Sequence, residues 1–245
     1  MCARPLSSGR RPTLWSNEAL MALHVQAMFT CTDKGALLTV NEPWDGSRPA
    51  PLLFVGIPEG SPPLCWGRAG LPASLVAAVR SLTEQEPFPV SALEKLLGKP
   101  LAAERERCFY RPADKAPLLH GSPEGSCVEL TPGRLWAYTL GEFSWLEEEL
   151  PAASPCFAFC VGKEVVAVCR SVRKGSAHEA GVETAPAYRR KGIGSLLVTA
   201  WANAVEQRGN FPLYSALESN VASLSCAKKG GFLPYGKGIS FYETL

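Results

Sequence analysis

The chain has 245 residues, and no stretch of it approaches the ~18 uninterrupted apolar residues that a membrane-spanning helix needs. Arg4, Arg10 and Arg11 lie near the start, but no apolar segment of the length of a secretory signal follows them. The expectation is a cytoplasmic protein without a membrane partner. Charge of one sign is also missing. A formal net charge of +2 gives no electrostatic reason to expect nucleic acid as a partner. Histidine is scarce, with only His24, His120 and His178, far apart in sequence, so no metal site is expected. The nine cysteines are an odd number and include no CxxC pair. Cys156 and Cys160, four apart, share a face of a strand and read as small apolar core residues. The chain contains no GxSxG elbow, HExxH helix, Walker A loop or GxGxxG turn.

What is present divides into two halves of unequal clarity. Residues 1–12 read as a loose tail. Residues 13–126 read as an accessory α/β domain. In it, a helix capped by Ser16 runs to about Phe29, with Leu20, Leu23, His24 and Ala27 on one face. Strands follow near 35–40 and 51–57, then helices over 71–84 and 92–97. The Pro-, Gly- and charge-rich stretch 111–127 marks the boundary. Trp44, Trp66 and Tyr110 in the first half read as core aromatics.

From Cys127 to Leu245 the pattern sharpens into β-α-α-β-β-β-α-β-α-β-β, a mixed α/β sheet with a crossover. Thr131 is expected to cap a helical stretch broken at Gly141, and a hairpin turns at Gly162. Ile193, Leu196, Leu197, Ala200, Trp201, Ala204 and Val205 recur at helical spacing until Gly209. A last pair of strands is expected between Phe232 and Thr244.

One segment carries chemistry. Between a strand ending at Val182-Glu183-Thr184 and that helix lie three consecutive cations, Arg189, Arg190 and Lys191, then Gly192-Ile193-Gly194-Ser195. A helix start leaves amide N–H groups unpaired and carries partial positive charge. Glycines there let a phosphate approach those amides. Taken alone, the segment also reads as an ordinary helix start on a basic turn.

In context, the chain resembles the GNAT superfamily of N-acetyltransferases. Arg189, Gly192 and Gly194 fit its Arg/Gln-x-x-Gly-x-Gly/Ala signature, and Asn220 to Ser223 with Lys229-Gly230-Gly231-Phe232 resemble its second, Asn-led helix. The resemblance covers Cys127 to Leu245. It implies acetyl-CoA as acyl donor, its diphosphate on the amides of Arg190 to Ser195. Its pantetheine arm would lie along Val182, Glu183 and Thr184, the Val182 N–H would meet the acetyl oxygen, and Asn220 and Ser223 would hold the far side. It also implies a primary amine on a small molecule or protein as acceptor, with direct attack in a ternary complex.

Transfer to an amine requires removal of a proton, since a lysine-like group of pKa ~10.4 is an ammonium at neutral pH. Glu179 and Glu183 share one face of a regular strand, and His178 faces the other way. They are the candidate bases in the order Glu179, Glu183, His178. The position where many family members carry a thiolate-protonating Tyr is Ala227, which leaves Tyr235, Tyr242 or water for that role. It also keeps open a non-catalytic acetyl-CoA-binding sensor or scaffold. The first half, whether a degenerate copy of the fold or an unrelated domain, is expected to cover the acceptor cleft. A longer acyl donor, and a monomer or a homodimer, are equally compatible with the sequence.

Overall fold

The computed structural model describes residues 15–43, 48–83, 90–112 and 124–244. The tail at 1–12, Trp44 and most of the expected boundary segment lie outside them. The N-terminal half begins with α1 (Asn17–Met28), where the Ser16 hydroxyl accepts from the Ala19 amide at 3.1 Å as expected of a cap. Leu20, Met21, Leu23, His24, Val25, Ala27 and Met28 are all buried. So complete a burial means that α1 is a core helix, not a surface one. The chain continues through a ribbon of β1 (Phe29–Cys31) and β2 (Leu37–Val40), then β3 (Leu53–Pro58), β4 (Leu64–Gly67), α2 (Ala73–Thr83), α3 (Val90–Leu97) and β5 (Leu101–Tyr110).

The second half runs β6 (Ser126–Leu130), α4 (Leu146–Glu149), β7 (Cys156–Val161), β8 (Glu164–Lys174), β9 (Ala177–Thr184), α5 (Ile193–Gln207), β10 (Phe211–Leu217), α6 (Val221–Lys229) and β11 (Leu233–Glu243). Two expectations fail here. The helical stretch after Thr131 is two 3-10 turns, Pro132–Ala137 and Gly141–Phe143, followed by the single turn of α4. The Thr131 side chain makes no capping bond. Gly133, Pro132 and Gly141 weaken helix propagation, and Leu140, Phe143, Leu146 and Leu150 pack individually into the core instead. The expected final pair of strands is one long strand, β11.

The place beside β11 is filled by β5. Nine strands form one sheet in the order β4-β3-β11-β5-β10-β9-β8-β7-β6. β5 pairs antiparallel with both neighbours, Tyr110 opposite Leu233 and Leu213, Glu106 opposite Gly238 and Leu217. The sheet therefore crosses the 111–127 segment without a break in pairing, and β5, from the first half, is one of its central strands. Among the described residues, β9 and β10 are the one pair of neighbouring strands in this sheet that runs parallel.

Side-chain alternation assigns the two faces. On the back, α5 and α6 cover a core that includes Phe109, Ala180, Trp201, Tyr214 and Phe232. Farther along that face, Val79 of α2 and Leu93 of α3 pack with Leu53, Val55, Ile239 and Phe241. On the front, α1 packs with Phe54, Cys108, Leu213 and Tyr235. The segment from Leu130 to Leu150 covers Cys156, Ala158, Cys160 and Val168, so the Cys156–Cys160 pair is core, as its spacing suggests. Close approach of α1 depends on missing side chains. A Cβ on Gly56 would meet Met21 at 2.5 Å, and one on Gly238, directly across the ladder, would meet the Glu106 carboxylate at 2.6 Å.

Candidate active site

β9 and β10 pair only at Phe211–Ala177, Pro212–His178 and Leu213–Glu179. Beyond that point β9 stays on β8 as far as Thr184, while β10 stays on β5 as far as Leu217. The sheet forks. Ala185 donates its amide to Val166 across β8 at 2.9 Å. Successive amides alternate sides along a strand, so those of Val182 and Thr184 face the gap. The Thr184 carbonyl, on the same side, accepts from Arg189 Nε at 3.0 Å. Arg189 thus closes the strand end, and its guanidinium is anchored there.

The loop from β9 to α5 ends in two left-handed residues, Arg190 (φ 62°) and Gly192 (φ 81°). Gly192 is the N-cap, and no side chain caps the helix. The first helical bond runs from the Leu196 amide to the Gly192 carbonyl, so the amides of Ile193, Gly194 and Ser195 have no acceptor within the helix. A Cβ on Gly192 would have no neighbour within 4 Å, so the space outside the helix start is open. The reason for glycine differs at 194. A Cβ there would press on Cys226 Sγ at 3.2 Å and Val182 at 3.4 Å, and therefore on the walls of the fork. Ser195 turns its hydroxyl back to the Gly192 carbonyl, and Lys191 lies over the Tyr188 ring.

The second wall is α6. Asn220 Oδ1 accepts from the Ser223 amide at 3.0 Å, so its side chain serves as the helix cap. Ser223 Oγ meets the Tyr214 hydroxyl at 2.8 Å. Burial pushes the Cys226 thiol up to about 11, so it is a neutral packing group at physiological pH. Ala227 has no exposed surface and belongs to the core.

On the front, the carboxylates foreseen in the sequence are both bound by arginine. Glu179 accepts from Arg173 Nη1 at 3.0 Å and from the Ser215 hydroxyl, and Arg173 also reaches Glu42 at 3.2 Å. Glu183 accepts from Arg170 Nη1 at 2.8 Å, and the same guanidinium bonds Glu149 at 2.8 Å and lies 4.0 Å over the Trp145 ring. Val172 is the extra residue of a bulge in β8, which lets both arginines face this side. His178 faces the back, as expected, and its Nδ1 bonds the Ser171 hydroxyl beneath Trp201. Burial, then Lys174 and Arg208, lowers it to about 4. It stands at the paired end of β9, away from the open part of the fork.

A group unforeseen in the sequence lies beside Glu179. His24 Nε2 meets Glu106 Oε1 at 3.1 Å, and Glu106 also shares the Ser215 hydroxyl. Burial opposes the charge on each, but their mutual bond and attraction outweigh it, raising His24 and lowering Glu106. Among the described residues, the possible metal ligands of His24, Glu106 and Cys108 lie within 4.8 Å of one another, a proximity that the scattered histidines did not suggest. The signal for Glu106 is visible in hindsight: Glu104-Arg105-Glu106-Arg107 alternates charge along a strand at the centre of a sheet.

Residues 127–232 match the family model of the acetyltransferase (GNAT) family. This stretch is a GNAT domain. Its loop and bare helix start are the Arg189-x-x-Gly192-x-Gly194 signature, and the domain's matched limits leave out β5 and β11. No curated protein matches the chain in sequence. Among solved structures, it is similar to a GNAT-family acetyltransferase from Colwellia psychrerythraea, with 11% identity over 74% of this chain and 76% of that one and a TM-score of 0.47. A GCN5-related N-acetyltransferase from Kribbella flavida shows 13% identity over 80% and 88%, with a TM-score of 0.47. A tandem GNAT protein from the clavulanic acid biosynthesis pathway shows 14% identity over 80% and 79%, with a TM-score of 0.45.

Proposed function

We propose that this protein transfers an acetyl group from acetyl-CoA to a primary amine at the fork between β9 and β10. The observation that carries this reading is the fork itself, opening beside a helix start whose amides are unclaimed by any capping side chain. Those amides and Arg190 suit a diphosphate. The edge of β9 suits an extended amide-bearing arm, which would pair as an added strand. The Val182 N–H then serves as a single donor to the thioester oxygen as negative charge develops on it. The amine approaches from the front, where the carboxylates stand, while the donor enters from the side of α5 and α6.

A second reading is a module that binds acetyl-CoA without turnover, and one feature favours it. The position at which many relatives carry a Tyr is Ala227, sealed in the core. Tyr235 is fully buried beneath α1, and the Tyr214 hydroxyl is engaged with Ser223. Departure of the thiolate without help remains chemically feasible, because a thiol of pKa ~8.5 is a fair leaving group. The two readings separate in one experiment. Acetyl-CoA binding by calorimetry, followed by a CoA-release assay over an amine panel, gives binding with release for the enzyme. Binding with persistent silence favours the module. Absence of binding contradicts both.

A further inference from the structure

The segment between β6 and β7 holds a cavity of about 520 Å³ in which neither β9 nor the start of α5 takes part. Leu135 and the buried Leu140 and Leu150 form its apolar floor, and Trp136, Tyr138 and Glu147 stand around them. Trp136 is 85% exposed, more than any other large apolar side chain among the described residues. Its ring is nevertheless fixed, because Nε1 donates to the Gly133 carbonyl at 2.9 Å within one 3-10 turn. An aromatic side chain held out into water by its own turn is the kind of anchor that a partner covers. Charge narrows the choice of partner. Residues 132–150 carry four glutamates and one arginine, Arg134, which is not in the cavity wall. Glu149 is bound by Arg170, whereas Glu147 has no cationic partner among the described residues. Two rings, three leucines and an unpaired carboxylate match an alkyl chain that ends in a cation. The leucines cover the methylenes, and the rings and Glu147 attract the charge.

The same segment reaches the fork. Trp145 and Glu149, four apart, share the side of α4 that meets Arg170, and Arg170 holds Glu183 of β9 at 2.8 Å. Glu147 and Leu150, three apart, share the side that lines the cavity. Thr139 pairs with Lys163 and Val165 at the start of β8, and the next residue, Val166, receives the amide of Ala185 where the fork is open. The cavity therefore lies level with the open end of the fork, on the β8 side of the gap. Small-molecule sites enclose most of their ligand. A wall led by so exposed a ring does not, and it suits one side chain of a larger partner. We propose that this cavity seats a basic side chain of a peptide acceptor, a few residues along the chain from the lysine whose amine enters the fork, so that the acceptor is a protein. This inference rests on the acetyl-transfer reading above.

The test uses end-capped glycine-serine peptides with a single lysine, alone or with a single arginine at graded spacings on either side of it. Arginine keeps its proton and so cannot itself take the acetyl group. With the wild type, arginine at the favoured spacing is expected to lower KM by about three- to thirty-fold against the lysine-only peptide and to leave kcat unchanged, as an added ground-state contact should. Trp136→Ala and Glu147→Gln should each remove much of that gain, and Trp136→Phe should keep part of it. All three variants should acetylate the lysine-only peptide and butylamine at the wild-type rate. A gain at no spacing, or one that survives in both Trp136→Ala and Glu147→Gln, would overturn the proposal while leaving acetyl transfer intact. A wild type that binds acetyl-CoA but acetylates none of these probes would instead contradict the transfer reading. The anisotropy of a fluorescein-labelled arginine peptide then decides the cavity by itself: weaker binding to Trp136→Ala supports it, and equal binding overturns it.

Discussion

At the scale of the residue, two side chains sit in conformations or charge states that carry measurable consequences. Arg190 adopts a left-handed backbone (φ 62°), which costs an L-residue about 1–2 kcal/mol. Such strain concentrates at functional turns, and here it lies two residues before the N-cap of α5. Arg190→Gly is expected to raise stability by about 0.5–1 kcal/mol after the entropy cost of glycine, and to weaken acetyl-CoA binding. Chemical denaturation and calorimetry read the two effects separately. His178 gives a pH signature. Its folded value of about 4 lies below the ordinary 6.5, so the unfolded chain takes up its proton first as pH falls. Stability from this group is complete above about 6.5 and is lost progressively toward 4. In His178→Asn, thermal melts should fall less steeply across that window; an unchanged slope would mean that the ring already carries its proton in the folded state.

At the scale of the element, β5 joins the two halves of the sheet by pairing with both β10 and β11. Its first residues, Leu101-Ala102-Ala103-Glu104-Arg105-Glu106-Arg107, favour helix by propensity and lack the β-branched residues that mark a strand. Tertiary pairing on both edges overrides that preference. Composition therefore hides the strand, and the trace that it leaves is the alternating charge from Glu104 to Arg107. By contrast, α5 and the hairpin of β7 and β8 were legible, because their burial follows a simple period and their ends carry glycines. The pair Glu179 and Glu183 was legible as a face, but the bulge at Val172, which brings Arg170 and Arg173 onto that face, leaves no mark in composition. The loop at Arg189 to Gly194 was read correctly as an uncapped helix start, while Asn220 turned out to cap its own helix. The spacing of α1 from the sheet offers a test at this scale. Gly238→Ala would force a methyl group into the Glu106 carboxylate and Phe54, at 2.6 and 2.9 Å. Overpacking of this kind costs about 1–3 kcal/mol, and the melting temperature should drop. A variant as stable as the wild type would show that α1 and Glu106 yield easily.

At the scale of the whole molecule, the matched GNAT segment and the residues before it share one sheet. Removing residues 1–123 would leave β10 and β11 with facing edges that β5 normally fills, and exposed strand edges template aggregation. The fragment 124–245 is expected to be insoluble or to lack a cooperative melt, whereas a soluble, cooperatively melting fragment would show that β5 is dispensable. The account as a whole depends on the bare amides at the start of α5, and the most direct measurement is titration of acetyl-CoA into the full chain and into Gly192→Val. A branched side chain at that left-handed position would fill the open space outside the helix. The account predicts saturable binding to the wild type and a loss of at least ten-fold in affinity in a variant that still melts cooperatively. Unchanged affinity in that folded variant would contradict it.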